Sequence, residues 1–193
     1  ASSRRKDAAY AGVFIQHRAL DFLHRHRDDA APYFLEVAVY APHNKTPARS
    51  FYRRTPFFPA MFRDRATPAT PGGSCGPVSC ASLEVTDLPG YADPRDDNRP
   101  RRDDGSPAPQ WQRLGPIDDE LALRYFRDRA RMVQSVDRLL RRVLDAVGDD
   151  TYVVLTSDNG LHLNQWGLPL GKGTAYDTDV HVPLLVVGPG VVP

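Results

Sequence analysis

The stretch TYVVLTSDNGLHLNQWGLPLGKGTAYDTDVHVPLLVVGPGV, residues 151–191, contains two short apolar runs separated by a polar loop. The first run is 151–156 (TYVVLT) and the second is 183–187 (PLLVV). Both are rich in β-branched residues, which favours strands. Gly188-Pro189-Gly190 closes the second run, because glycine and proline interrupt regular structure. This stretch therefore predicts two strands with a long loop between them.

A long helix is predicted immediately before this stretch, over residues 117–147. Acidic residues at 118–120 lie at its start, where the helix dipole favours negative charge. Gly148 is a typical residue at which a helix ends. One apolar stripe is predicted at spacings of three and four, formed by Val133, Val136, Leu140, Val143 and Val147.

The N-terminal part predicts a second helix and a further strand. A helix is expected over residues 8–26, with Ile15, Ala19, Phe22 and Leu23 on one face. The run Tyr33–Tyr40 (YFLEVAVY) is almost wholly apolar, which is typical of a strand buried on both faces of a parallel sheet. Strand, helix and strand in this order imply a right-handed parallel crossover. The expected class is α/β, with a mostly parallel sheet flanked by helices.

Residues 41–115 predict a long irregular insertion, because prolines and glycines recur throughout this region. Its charged part, Asp93–Asp104, is expected to be solvated, and the rest to include loops that face a substrate. Cys75 and Cys80 lie in this region with four residues between them. They are expected either to pair in an oxidising compartment or to remain free thiols. A zinc site is disfavoured, because no neighbouring Cys or His completes a set of four ligands.

Composition excludes several classes of protein. The 193 residues carry a net charge of +1, which gives no electrostatic reason to expect a nucleic-acid partner. No apolar run approaches the roughly 20 residues that a membrane helix needs. The first ten residues are polar and charged, so no signal peptide is recognisable in this sequence.

The loop after the strand 151–156 holds the most informative polar residues. Asp158 and Asn159 follow the carboxyl end of this strand, the edge at which open α/β sheets bind ligands. Their side chains offer two hard oxygen ligands, which suits calcium or magnesium if further ligands are present. The alternative is a plain turn, because Asp, Asn and Gly are also common turn residues.

Three more residues are candidates for an anion site. Lys172 lies between two glycines, which leaves its charge accessible, although a lysine in a turn is usually just solvated. His43 follows the strand 33–40 and is able to bind an anion or donate a proton, but a lone histidine more often has a structural role. His162 is a weaker candidate for the same two roles, anion binding or proton donation. Trp166 is expected to form either a pocket wall or part of the core.

The stretch 151–191 closely resembles the sulfatase family of the alkaline-phosphatase-like superfamily. That family shows a hydrophobic strand, then (S/T)-D-N-G, G-K-x-T-x-(Y/F)-(E/D), V-P-L and G-P-G. PYFLEVAVYAPHNKTPAR, residues 32–49, resembles its strand ending in A-P-H, and MVQSVDRLLRRVLDAVGD, residues 132–149, resembles the helix before D-N-G. The resemblance implies a partial alkaline-phosphatase-like sandwich over residues 1–193.

The resemblance also implies roles for individual residues. Asp158 and Asn159 would be Ca²⁺ ligands, Lys172 would contact sulfate oxygens, and His43 would face the sulfate and assist departure of the leaving oxygen. His162 is assigned with them to substrate binding. The family's nucleophile is a hydrated formylglycine made from a C-x-P-S-R type motif. Cys75-Gly76-Pro77-Val78-Ser79 departs from that motif and lies after the A-P-H strand, so it is interpreted as a chance likeness.

These expectations describe an N-terminally incomplete sulfatase that is inactive as given. The complete protein would remove sulfate from an aryl or carbohydrate sulfate ester. The alternatives are a phosphodiesterase or phosphonate hydrolase of the same superfamily, and a non-catalytic relative that binds anions. The resemblance implies a secreted, periplasmic or lysosomal location and a sulfated small molecule or glycan as substrate.

Overall fold

A computed structural model describes residues 11–43, 74–93, 101–106 and 118–192 of the chain. Two compact units are present. The described residues up to Ser82 form the first unit, together with Arg127–Thr151 and Gly188–Gly190. The described residues of Leu83–Phe126 and Tyr152–Val187 form the second, together with 191 and 192.

The first helix, α1, spans Ala11–His26. Ala19 and Leu23 on its predicted apolar face are 4% and 3% exposed, and Ile15 and Phe22 are half-buried. This confirms the amphipathic helix over its described part, while residues 8–10 lie outside the described residues. The face is buried because apolar side chains three and four apart share one side of a helix.

The second helix, α2, spans Asp119–Leu144. Asp118 caps it, since its carboxylate accepts a hydrogen bond from the backbone N–H of Leu121 at 3.1 Å. The helix ends before Gly148, as predicted. The predicted apolar stripe is wrong in one respect, because Val133 is 44% exposed whereas its neighbour Met132 is 2% exposed.

The segment 33–40 forms no strand with the described residues, contrary to prediction. Its burial nevertheless alternates, since Leu35, Val37 and Val39 are half-buried and the residues between them are exposed. These three side chains pack against the core cluster of α1 and α2, which consists of Leu23, Leu139 and Val143. One face of the segment therefore lies on the helices, and no strand of the described residues pairs with its backbone.

The irregular region contains a small cross-linked hairpin. Strands β1 (Ser74–Cys75) and β2 (Val78–Ser79) pair antiparallel, and a 3₁₀ turn, Cys80–Ser82, follows. Cys75 and Cys80 form a disulfide, which decides between the two alternatives left open by the sequence. The remaining described residues of this region, 83–93 and 101–106, lack helices and strands.

Strands β3 (Val153–Thr156) and β4 (Leu184–Val187) form the other described sheet. They pair antiparallel, with Thr156 opposite Leu184 and Val153 opposite Val187. The chain thus leaves β3 and enters β4 at the same end of the sheet. A mostly parallel sheet was the wrong expectation for the described strands, because the loop between β3 and β4 reverses the chain instead of crossing over.

The β3–β4 sheet exposes apolar side chains. Leu184, Leu185 and Val187 are 68%, 58% and 55% exposed, and Val154 is 58% exposed. Strands of this composition are normally buried on both faces. Among the described residues, no helix has the length and apolarity required to cross a bilayer.

Candidate functional site

The loop that joins β3 to β4 begins with the predicted metal ligands. The backbone N–H of Asn159 donates to the carboxylate of Asp158 at 2.9 Å, and the Ser157 hydroxyl donates to the carbonyl of Asn159 at 2.9 Å. These bonds form the turn expected for such a sequence. The turn leaves the Asp158 side chain exposed and Oδ2 of Asp158 without a hydrogen bond in the described part of the chain. The turn and the metal-ligand interpretations of this sequence are therefore compatible, because the turn leaves the carboxylate of Asp158 accessible.

Lys172 reaches back to this turn from the far side of the loop. Its Nζ donates to Oδ1 of Asn159 at 2.8 Å. The structure therefore brings together three of the predicted site residues, namely Asp158, Asn159 and Lys172. The contact places a positive charge against the amide oxygen of Asn159.

Asp179 is the residue that holds the two halves of the loop together. Its side chain is 2% exposed and accepts three hydrogen bonds, each of 2.8 Å, from Nδ1 of His162 and from the backbone N–H and hydroxyl of Thr174. Its main-chain carbonyl accepts a fourth, from the N–H of Gly160, at 2.8 Å. Asp179 therefore links the segment after Asn159 to the segment after Lys172. It lies in the short helix α3, Asp177–Val180.

His162 is fully buried, with 0% exposure. Its backbone exchanges two hydrogen bonds with Gly171, of 2.9 and 3.2 Å, next to Lys172. The other ring nitrogen, Nε2, is buried and has no hydrogen-bond partner among the described residues. A side chain in this position orients the lysine segment, whereas its predicted contact with substrate stays a prediction.

Glycine is required at position 160 because the backbone of the α3 segment lies very close to it. A Cβ at this position would lie 1.9 Å from the carbonyl oxygen of Thr178, much closer than real atoms come. The D-N-G turn can therefore lie against the α3 segment only with glycine as its last residue.

Trp166 packs against the irregular region preceding α2. Its ring stacks on Tyr176 with a centroid distance of 6.5 Å, and its backbone N–H donates to the carbonyl of Gly90 at 2.7 Å. Tyr91 beside it donates to the Asp119 carboxylate at 2.6 Å. Burial and this carboxylate raise the pKa of Tyr91 to about 12. Trp166 is thus a packing residue that fixes the loop, as one of the two alternatives predicted.

His43 lies in the first unit, whereas Asp158, Asn159 and Lys172 lie in the second. Its backbone N–H donates to the carbonyl of Tyr40 at 2.8 Å and closes a turn that contains the cis Ala41–Pro42 peptide. Arg129 on α2 donates to the carbonyl of Pro42 at 3.1 Å, and burial lowers the pKa of this guanidinium to about 10. Convergence of His43 with the other three residues stays a prediction.

The donor atoms fit a partial calcium site. Asp158 and Asn159 supply carboxylate and amide oxygens, the ligands that calcium prefers, but calcium takes six to eight of them. No cluster of three or more His, Cys, Asp or Glu side chains able to hold a metal occurs within the described ranges. These residues therefore fit one side of a calcium site, which other oxygen atoms would have to complete.

Comparison with known proteins decides the family. The sulfatase family model matches residues 14–193, nearly the whole chain. The chain belongs to the sulfatase family. Its D-N-G turn and its G-K-G-T segment, which the structure joins through Lys172 and Asn159, are the sulfatase-like motifs quoted above.

Individual sulfatases are similar over most or part of the chain. It is 29% identical to the human N-acetylglucosamine-6-sulfatase over 186 residues, covering 91% of this chain and 27% of that protein. It is 25% identical to sulfatase ppz1 of Metarhizium majus, covering 95% of this chain and 39% of that protein. The extracellular sulfatase SULF-1 homolog of Drosophila melanogaster is 38% identical over 45% of this chain and 9% of its own length.

The chain thus spans well under half the length of these curated relatives. No solved structure matches it at a significant level.

Two supporting residues, one in the loop that holds Asp158 and one that contacts Pro42 next to His43, are not identified from the sequence. Asp179 is 17 residues from His162, a separation with no local pattern, and its neighbour Asp177 has the same residue type but is exposed. Arg129 resembles the other arginines of α2 in sequence and differs only in its contact with Pro42. Neither residue carries a signal in a single sequence, because only tertiary packing distinguishes it from its neighbours.

Proposed function

We propose that this chain supplies part of the calcium and sulfate site of a sulfatase that hydrolyses a sulfate ester. The observation that carries the proposal is the contact of Lys172 with Asn159 beside the exposed carboxylate of Asp158. Membership of the sulfatase family supports the reaction class.

Each residue of this group has a distinct role in the proposal. Asp158 and Asn159 hold the calcium ion through oxygen atoms. When bound, calcium polarises a sulfate oxygen as a Lewis acid. Lys172 supplies a fixed positive charge that stabilises the negative charge developing on the sulfate oxygens in the transition state. His43 donates a proton to the leaving oxygen.

Asp179 and His162 position this group, and contact of His162 with the substrate stays a prediction. Both side chains are almost fully buried, and their hydrogen bonds hold the segments that carry Asn159 and Lys172. A preorganised charge is more effective than one that must be reoriented during the reaction, because no reorganisation energy is required. The buried pair therefore contributes to catalysis through the placement of Lys172.

The sequence contains no C-x-P-S-R type motif, so the nucleophile is not found among these 193 residues. We expect the chain alone to release no sulfate from p-nitrophenyl sulfate in the presence of calcium. Turnover by the isolated chain would contradict the proposal that the nucleophile, a formylglycine, lies outside these 193 residues.

The substrate class proposed is an aryl or carbohydrate sulfate. It is supported by the names of two similar proteins, an arylsulfatase of Volvox carteri and an N-acetylglucosamine-6-sulfatase of Homo sapiens. The disulfide between Cys75 and Cys80 is typical of proteins in oxidising compartments, which favours a secreted, periplasmic or lysosomal location.

The test uses residues 1–193 joined behind a sulfatase segment that carries the C-x-P-S-R type motif. This protein should hydrolyse p-nitrophenyl sulfate or N-acetylglucosamine 6-sulfate in a calcium-dependent manner. Asp158→Ala and Lys172→Ala should each lower kcat/KM by about 100-fold or more, as expected for loss of transition-state charge stabilisation. Asp177→Ala, an exposed acid of the same loop, serves as the matched control and should retain activity.

Two results would contradict the proposal. Full activity of Asp158→Ala in a folded, active parent protein would exclude it as a metal ligand. Faster turnover of p-nitrophenyl phosphate or a phosphonate monoester than of the matched sulfate would instead favour a phosphohydrolase of the same superfamily.

A further inference from the structure

The first unit contains a cleft between α1 and α2. The residues that line it have no role in the proposed sulfatase reaction. The cleft encloses about 180 Å³ and is lined mainly by polar and cationic side chains. Gln16 and His17 of α1 lie on one side, and Ser135, Arg138 and Arg142 of α2 lie on the other. This volume is below the range of about 300–1,000 Å³ typical of pockets for drug-sized ligands, so the cleft suits a single small group.

The arginines of this cleft differ from their neighbours on the same helix. Arg131 and Arg141 each pair with an aspartate one turn earlier, at 2.9 and 3.3 Å. Arg138 and Arg142 form no ion pair with any residue that the structure describes, and they lie one turn apart. Like charges at this spacing repel each other. Burial of Arg138 and the proximity of Arg142 both lower the pKa of the Arg138 guanidinium.

Gln16 provides a second, independent feature. The residue is 7% exposed, its side chain lines the cleft, and its amide makes no hydrogen bond with the described residues. Buried amides are normally hydrogen-bonded, because an unpaired buried polar group costs free energy. The Gln16 amide and the guanidiniums of Arg138 and Arg142 therefore lie around one small volume whose described lining includes no acidic side chain.

We propose that this cleft binds one tetrahedral oxyanion group, such as a sulfate or phosphate, at a site distinct from the Asp158 turn. Guanidinium groups match such anions with paired, charge-assisted hydrogen bonds. An anion between Arg138 and Arg142 also removes the repulsion between them. The Gln16 amide donates to the same anion, which gives it a hydrogen-bond partner.

The experiment measures anion binding to the 193-residue chain at constant ionic strength. Sodium sulfate, sodium phosphate and a sulfated disaccharide are titrated separately, with chloride as the balancing anion, and binding is followed by calorimetry. The wild-type chain should show saturable binding of at least one of these probes. The paired variant Arg138→Ala/Arg142→Ala should weaken this binding by about tenfold or more, because two charge-assisted contacts are lost. Comparison of the three titrations distinguishes a free inorganic anion from the sulfate group of a sugar.

The matched control is Arg141→Ala, which removes a charge from the same helix at an exposed, ion-paired position. It should leave the dissociation constant within about twofold, because screened surface charges contribute little. Gln16→Leu should weaken binding without any change in net charge, and circular dichroism confirms that each variant is folded. Equal weakening by Arg141→Ala and by the Arg138/Arg142 pair, or no saturable binding to the wild-type chain, would overturn the proposal.

Discussion

Replacement of Asp179 by asparagine tests the buried connection on which the site geometry depends. The carboxylate accepts three hydrogen bonds of 2.8 Å, one from His162 and two from Thr174. Asparagine has nearly the same shape but only one acceptor oxygen. Asp179→Asn must therefore turn its amide N–H₂ toward either His162 or Thr174, which costs a hydrogen bond or forces the other tautomer of His162, and it removes the negative charge.

The size of the effect follows from these contacts. A hydrogen bond to a charged group contributes about 1.5–3 kcal/mol net, and a buried group left without its partner adds a desolvation cost of similar size. We expect Asp179→Asn to lower the free energy of unfolding by about 2–4 kcal/mol. With a urea dependence of about 2 kcal/mol per molar for a small protein, the unfolding midpoint should fall by about 1–2 M.

The assay is equilibrium urea unfolding followed by Trp166 fluorescence in a Trp111→Phe background. Trp166 stacks on Tyr176 in the same loop, so its emission reports on this region. Asp177→Asn is the matched control, because Asp177 is exposed and lies two residues away. It should change stability by no more than about 0.5 kcal/mol. Identical midpoints for Asp179→Asn and Asp177→Asn would refute the role of Asp179 as a structural link.

Two further predictions concern glycine and tyrosine positions of the second unit and a control in the first. Gly160→Ala should destabilise the chain by about 3 kcal/mol or more in urea unfolding, because its Cβ would lie 1.9 Å from the Thr178 carbonyl oxygen. The control Gly148→Ala should have little effect, because its Cβ meets only a flexible side chain. Equal stabilities of the two variants would contradict the close approach at Gly160. Tyr91 should titrate near pH 12 in absorbance at 295 nm. Its raised pKa stabilises the fold below pH 10, and this contribution to stability is lost as the pH rises toward 12. If Tyr91→Phe keeps the same absorbance change near pH 12, the assignment of that change to Tyr91 is contradicted.

The sequence predicted the elements of this chain better than their pairing. Helix α1 and helix α2 follow from apolar spacing and from an acidic start, both of which are local properties. The antiparallel pairing of β3 with β4 could not be predicted locally, since it depends on how the long loop between them reverses the chain. The composition of segment 33–40 predicts a strand, yet pairing requires a partner strand that composition does not reveal.

The candidate site was predictable to the extent that its residues lie on one loop. Asp158, Asn159 and Lys172 are identified from two short motifs, and the structure joins Lys172 to Asn159, the neighbour of Asp158, at 2.8 Å. The sequence indicates His162 only as a weak candidate for anion binding, whereas the structure buries its ring against Asp179. The motifs thus identify Asp158, Asn159 and Lys172, and they give no sign of the buried Asp179 that links the two segments of the loop.

The covalent link between Cys75 and Cys80 has a practical consequence for recombinant production. In the cytosol of a common bacterial host, thioredoxin and glutathione would keep both sulfur atoms reduced, and this hairpin would remain unlinked. Export to the periplasm, or a host strain with an oxidising cytosol, should instead give homogeneous material. Mass spectrometry after thiol alkylation, without prior reduction, distinguishes the two preparations before any binding measurement begins.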